Sequence, residues 1–178
     1  MNDVKGNVKC KPLDQLKNSH QMLLEQMQAI SELVHELQQS SFEQECDLKW
    51  FQLFERAVII FSQLKIQIYK EEHFLFPLIK NYVEEDDNIL MVMDHEHKTV
   101  EHKIVQFIET FQKREGPFTP IEALSLLSCL EIASATLIEH ICNEENVLFP
   151  LVEEHLVKGE QELLLNKLGA FTRNFSSF

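Results

Sequence analysis

With 178 residues the chain is long enough for one domain with a sizeable core. It has only 4 Gly and 5 Pro, which disfavours turn-rich β architecture and points to an all-α fold. A formal net charge of −13 excludes the clustered basic surface that nucleic acid or an anionic membrane requires.

Residues 1–11 are polar and read as a flexible N-terminal segment without the apolar core of a signal peptide. From Leu13 the apolar set Leu16, Leu23, Met27, Ile30, Leu33, Val34 and Leu37 recurs at three- and four-residue steps, which predicts a first helix ended by Ser40-Ser41. A second helix is expected from about Asp47 to Tyr82, with Pro77 kinking it or marking its last turns. The segment "EEDDN" at 84–88 reads as a turn, and a third helix follows from about Asn88 to Arg114. "TPIE" at 119–122 carries a helix start: Thr119 as cap, Pro120 in the first turn and Glu122 to close the capping box. This fourth helix is expected to reach about His155 and to be buried, since Glu131, Glu139 and several serines interrupt its apolar run. A short helix near 160–170 should pack across the bundle end, with "TRNFSSF" as a tail.

Four long helices with short connections predict an up-down-up-down four-helix bundle over residues 12–157, followed by a short C-terminal helix and tail over 158–178. Cys10, Cys46, Cys129 and Cys142 are widely spaced and fit neither a zinc knuckle nor a disulfide framework. They read as reduced thiols, and the expected location is cytoplasmic.

"EEHFLFPLI" at 71–79 and "EENVLFPLV" at 144–152 share six of nine residues. The copies fall on the second and fourth helices, so the bundle reads as two helical hairpins related by an approximate two-fold. Residues four apart share a helix face, which places Gln67 with Glu71 and His140 with Glu144, among the core candidates Leu64, Ile68, Leu75, Leu137, Ile141 and Leu148. Buried carboxylates at one level repel each other unless a cation lies between them. His20 and His97, on the first and third helices, are separated by nearly the interval that separates Glu71 from Glu144. Imidazoles and carboxylates on facing bundle helices suit a pair of iron or manganese ions.

These residues carry a resemblance. "H-x-x-x-E-E-x-x-L-F-P" (His140, Glu144, Glu145, Leu148, Phe149, Pro150) and the order of histidines and glutamates before it resemble the hemerythrin-like, HHE cation-binding family. The resemblance implies a non-haem centre of two irons, or of one, with manganese or zinc as other candidates. Glu71 and Glu144 would bridge, His20 would hold one metal, and His97 and His140 the other. Where the family expects a histidine this chain has Gln67, a poorer ligand. Met93 stands where members often carry another histidine, and Glu101 could supply an oxygen instead. The implied partners are dioxygen or nitric oxide, met by a monomer or homodimer that binds rather than catalyses, or that supplies iron for cluster repair. Two other readings stand beside this one. A ferritin-like enzyme would need two Glu-x-x-His motifs, of which only Glu32–His35 is present. A cofactor-depleted bundle could survive as a regulatory or interaction module.

Overall fold

The computed structural model describes residues 10–39, 46–83 and 88–175. The expectations for residues 1–9, for Ser40-Ser41, for 84–87 and for the last three residues lie outside these. Among the described residues there are helices and no strands.

Helix α1 runs Lys11–Gln39, about 44 Å at 1.5 Å per residue. Helix α2 runs Cys46–Lys70, passes without a break into a π-helical turn, Glu71–Leu75, and resumes as α3, Phe76–Ile79. Helix α4 spans Ile89–Gln112. Helix α5, Pro120–Asn143, repeats the interruption: a π-turn, Glu144–Leu148, and then α6, Phe149–His155. Helix α7 is Lys158–Phe175. Helix α1 packs against α2 and α5, and α4 packs against the same two, so four rods close a ring. The expected all-α bundle is the observed one.

Thr119 caps α5 as expected. Its hydroxyl accepts from the Glu122 amide, the Glu122 carboxylate accepts from the Thr119 amide at 2.8 Å, and Pro120 opens the first turn. The α5–α6 rod is long and apolar enough to cross a membrane by length and composition. Ala123, Leu127, Leu130, Ala133 and Leu137, however, form one wall of the bundle core.

Three expectations need correction. Pro77 stands in the last turn of its rod, as expected, but the second and fourth helices are not regular, because each contains a π-turn that ends two residues before a proline. Pro77 and Pro150 have no N–H, and their rings crowd the carbonyl four residues back, so the chain widens by one residue ahead of them. The Phe76 amide reaches back five residues to the Glu71 carbonyl, and the Phe149 amide reaches the Glu144 carbonyl in the same way. The second rod also stops at Ile79 rather than Tyr82. The C-terminal helix is longer than 160–170, and Thr172–Phe175 belong to it rather than to a tail. Its Leu164 and Leu168 are buried, it lies along α1 and the first π-turn, and Phe171 stacks on Tyr69.

The apolar interior comes in two pieces. One contains Leu23, Met27, Leu64, Ile68, Val100, Phe107, Leu137 and Ile141. The other contains Leu13, Leu16, Leu75, Phe76, Met93, Leu148, Phe149 and Leu168. Each rod crosses from one piece to the other through polar side chains: His20 on α1, Gln67 and Glu71 on the second rod, His97 on α4, His140 and Glu144 on the fourth. All six are buried. A fully buried polar layer of this kind stands out against the close-packed apolar residues on either side.

Candidate metal centre

The six residues converge. His20 Nε2 lies 3.3 Å from Glu71 Oε1 and 3.0 Å from Glu144 Oε2. His97 Nε2 lies 3.2 Å from Glu71 Oε2 and 3.1 Å from His140 Nε2. His140 Nε2 is 3.7 Å from Glu144 Oε2. The ligand atoms fall into two groups that share Glu71: Glu71 with His97 and His140, and His20 with Glu71 and Glu144. Within each, the atoms lie no more than 4.8 Å apart. Gln67 donates its amide to Glu71 Oε1.

Outside this layer each imidazole is held by a second carboxylate. His20 Nδ1 lies 2.9 Å from Glu145 Oε1, His97 Nδ1 3.0 Å from Glu72 Oε1, and His140 Nδ1 3.0 Å from Glu96 Oε2. An ionised carboxylate only accepts, so in each pair Nδ1 carries the proton. In the neutral imidazoles the lone pair then sits on Nε2 and points inward. Histidines that bind metals are oriented in this way by an outer hydrogen bond. None of these three glutamates was assigned a role from sequence. The available signal was adjacency, since Glu72 follows Glu71, Glu145 follows Glu144 and Glu96 precedes His97.

The repeated segment now has a physical reading. The copy on the fourth rod supplies His20 with an inner oxygen from Glu144, an outer carboxylate from Glu145 and a stacked ring from Phe149, at 5.5 Å between centroids. The copy on the second rod supplies His97 with Glu71, Glu72 and Phe76, the last at 5.9 Å. Each copy thus completes the environment of one histidine on another helix.

The other candidates fall elsewhere. Glu101 is half-buried beside Lys65, 2.7 Å from its ammonium. Met93 is buried in the apolar piece beyond the polar layer. His35, His73, His95 and His102 are exposed, and His155 Nδ1 lies 3.0 Å from the Leu151 carbonyl. Cys142 is exposed.

The residues fit a cation. Glu71 Oε2, both oxygens of Glu144 and Gln67 Oε1 are buried without a hydrogen-bond partner. Glu144 Oε2 lies close to His20 Nε2, but off the direction in which an N–H would point. Inward lone pairs from imidazoles and carboxylates are a costly arrangement that a positive charge at their centre relieves. In the metal-free chain protons must serve instead. Burial opposes a charge on His20, but Glu144 and Glu71 outweigh it and push its pKa up to about 10. His97 is likewise resisted by burial and raised by Glu71 to about 9. Burial lowers His140, which stays neutral. Burial and the charge of Glu71 raise Glu144 to about 7. Glu71 resists burial through His20 and His97 and is held well below the usual carboxylate range.

A helical bundle with a buried His/Glu layer of this composition defines a class of cation-binding protein. The family model of the hemerythrin HHE cation binding domain matches residues 11–152, and the chain belongs to that family. No curated protein and no solved structure gave a significant match.

Proposed function

We propose that the chain holds non-haem iron between its four rods and binds or senses a small diatomic molecule, dioxygen or nitric oxide, or passes iron on for the repair of redox damage, in the cytoplasm. The observation that supports this most directly is the set of buried acceptor atoms without partners, on Glu71, Glu144 and Gln67, facing inward imidazole nitrogens. When bound, iron supplies reversible one-electron chemistry and an affinity for diatomic ligands that no side chain offers. The chain's own residues do the rest. Glu71 belongs to both groups of ligands and Glu144 to that of His20; Glu72, Glu96 and Glu145 fix the imidazoles. Leu23, Leu64, Ile68, Leu137 and Ile141 line the layer on one side and keep water from it.

Gln67 in place of a histidine favours the other reading, a bundle that has lost its cofactor and serves as an interaction module. The layer itself weighs against that. A metal-free bundle has no use for three outer carboxylates that each hold an imidazole facing a buried glutamate.

The test is the iron content and optical spectrum of protein loaded anaerobically with ferrous iron and then exposed to dioxygen or to nitric oxide. Retained iron with a spectrum that changes on exposure is expected. Protein that retains no iron would leave the interaction module as the account.

A further inference from the structure

We infer that the two metal positions are unequal: the position at His97 and His140 holds its ion tightly, while the position at His20 and Gln67 holds an ion that exchanges readily. The inference rests on the reading above and takes it further, because it concerns what this chain's own departures do.

The ligand groups differ in chemistry. Glu71, His97 and His140 offer two imidazole nitrogens and a carboxylate, whereas His20, Glu71 and Glu144 offer one nitrogen and two carboxylates. Gln67 lies on the His20 side, since its amide reaches Glu71 Oε1, the oxygen that His20 also touches. Its own Oε1 is buried and has no partner. A neutral amide oxygen binds a transition metal more weakly than an imidazole does.

The approximate two-fold sharpens the contrast. His20 corresponds to His97, so Ser19 corresponds to Glu96, and Gln67 corresponds to His140. In the second half Glu96 holds His140 at 3.0 Å. In the first half both members of that pair are replaced, by Ser19 and Gln67. Ser19 donates to the Gln15 carbonyl at 3.2 Å and accepts from Lys70 Nζ at 3.4 Å. Asn143, the counterpart of Lys70, is neutral and reaches Glu96 at 3.5 Å. The first half has thus lost an imidazole and its carboxylate, and it has a positive charge where the second half has none. The outer partners of His20 and His97 are alike in exposure, 36% for the Glu145 side chain and 33% for Glu72, so the enclosure that the second half adds comes from Glu96, at 12%. A position like this suits an ion that is handed on while its neighbour is retained.

The experiment is a chelator competition on the full chain loaded anaerobically with ferrous iron, with metal counted per chain at each chelator concentration. Two steps are expected from the wild type, separated by at least about 100-fold in affinity, beyond the 10–100-fold that loss of an outer partner alone gives. Gln67→His should bring the steps together, and His20→Ala should delete the weaker step alone. Circular dichroism of each metal-free variant establishes that it folds. A single step releasing two irons together from the wild type would overturn the inference while leaving the iron-binding reading intact. So would a Gln67→His variant that keeps two separated steps. Absence of iron from both wild type and Gln67→His overturns both.

Discussion

Glu96 precedes His97 in the chain, yet the imidazole it holds is that of His140, on a different rod, through a 3.0 Å contact to Nδ1. It thereby ties α4 to α5 at the level of the candidate centre and fixes the tautomer that presents His140 Nε2 inward. Glu72 and Glu145 do the same for His97 and His20.

Glu96→Ala should therefore weaken metal binding by about 10–100-fold without removing a ligand. The Glu96 side chain is only 12% exposed and its removal leaves the buried His140 Nδ1–H without an acceptor, so the metal-free variant should also lose about 1–3 kcal/mol of stability. Chelator titration and thermal denaturation measured side by side check this. Unchanged affinity would mean that His140 is oriented by its packing alone.

A loss of stability without loss of metal is expected at Thr119. Its hydroxyl and the Glu122 carboxylate satisfy each other's amides at the start of α5, far along the rod from His140. Thr119→Ala should cost about 1 kcal/mol, read as a midpoint lowered by roughly 2–4 °C in a chain of this size. Metal content should be untouched. A variant that loses metal as well would show that the rod transmits disorder from its cap to the centre.

How much of this was legible in the sequence follows from what each feature depends on. The capping box at Thr119 and the spacing of Gln67 with Glu71 and of His140 with Glu144 are local, and three- and four-residue arithmetic reads them correctly. The amide contact from Gln67 to Glu71 was readable for the same reason. The π-turns were not. They arise from a proline conflict with the preceding turn, whereas the arithmetic assumed an unbroken 3.6-residue period. The outer carboxylates were hidden differently: Glu72, Glu96 and Glu145 each act on a histidine from another rod, and no pattern along one helix reports a contact between two. The length of α7 was missed because Leu164 and Leu168 pack against α1 and the bundle end, a surface that exists only once the bundle has formed.

Glu144 is fully buried, and in the metal-free chain neither of its oxygens has a hydrogen-bond partner. In the function proposed above, its placement serves a cation at the expense of the fold, a common relation between function and stability. Glu144→Gln keeps the shape and removes the charge. Because burial and Glu71 raise Glu144 to about 7, its charge opposes folding above that pH, and the metal-free variant at pH 8 should melt roughly 2–4 °C higher than the wild type. Metal uptake should fall sharply. A lower midpoint would show that proton sharing with His20 already compensates the carboxylate.

The dependence on pH separates the metal-free form from the loaded form. In the metal-free chain His20 and His97 are raised to about 10 and about 9, while in the unfolded chain both titrate near 6.5. Their contribution is fully present below about pH 6.5 and is lost as pH rises through 9 to 10. Glu144, raised to about 7, adds a decline in stability between its unfolded pKa of about 4.3 and pH 7. Glu71, held low, and His140, lowered by burial, act the other way and weaken the fold in acid. Between about pH 7 and pH 9 the two raised histidines dominate the change, and the end of the Glu144 titration has the same sign, so the melting temperature of the metal-free protein should fall as pH rises. A bound cation needs His20 and His97 deprotonated at Nε2, as they already are in the unfolded chain above about pH 6.5, so the loaded protein should hold its melting temperature across that window. Thermal denaturation of chelator-treated and zinc-loaded protein at several pH values gives both slopes, zinc avoiding iron oxidation. A loaded protein whose melting temperature falls as steeply as that of the metal-free protein would mean that the two imidazoles are not where the cation and the proton compete.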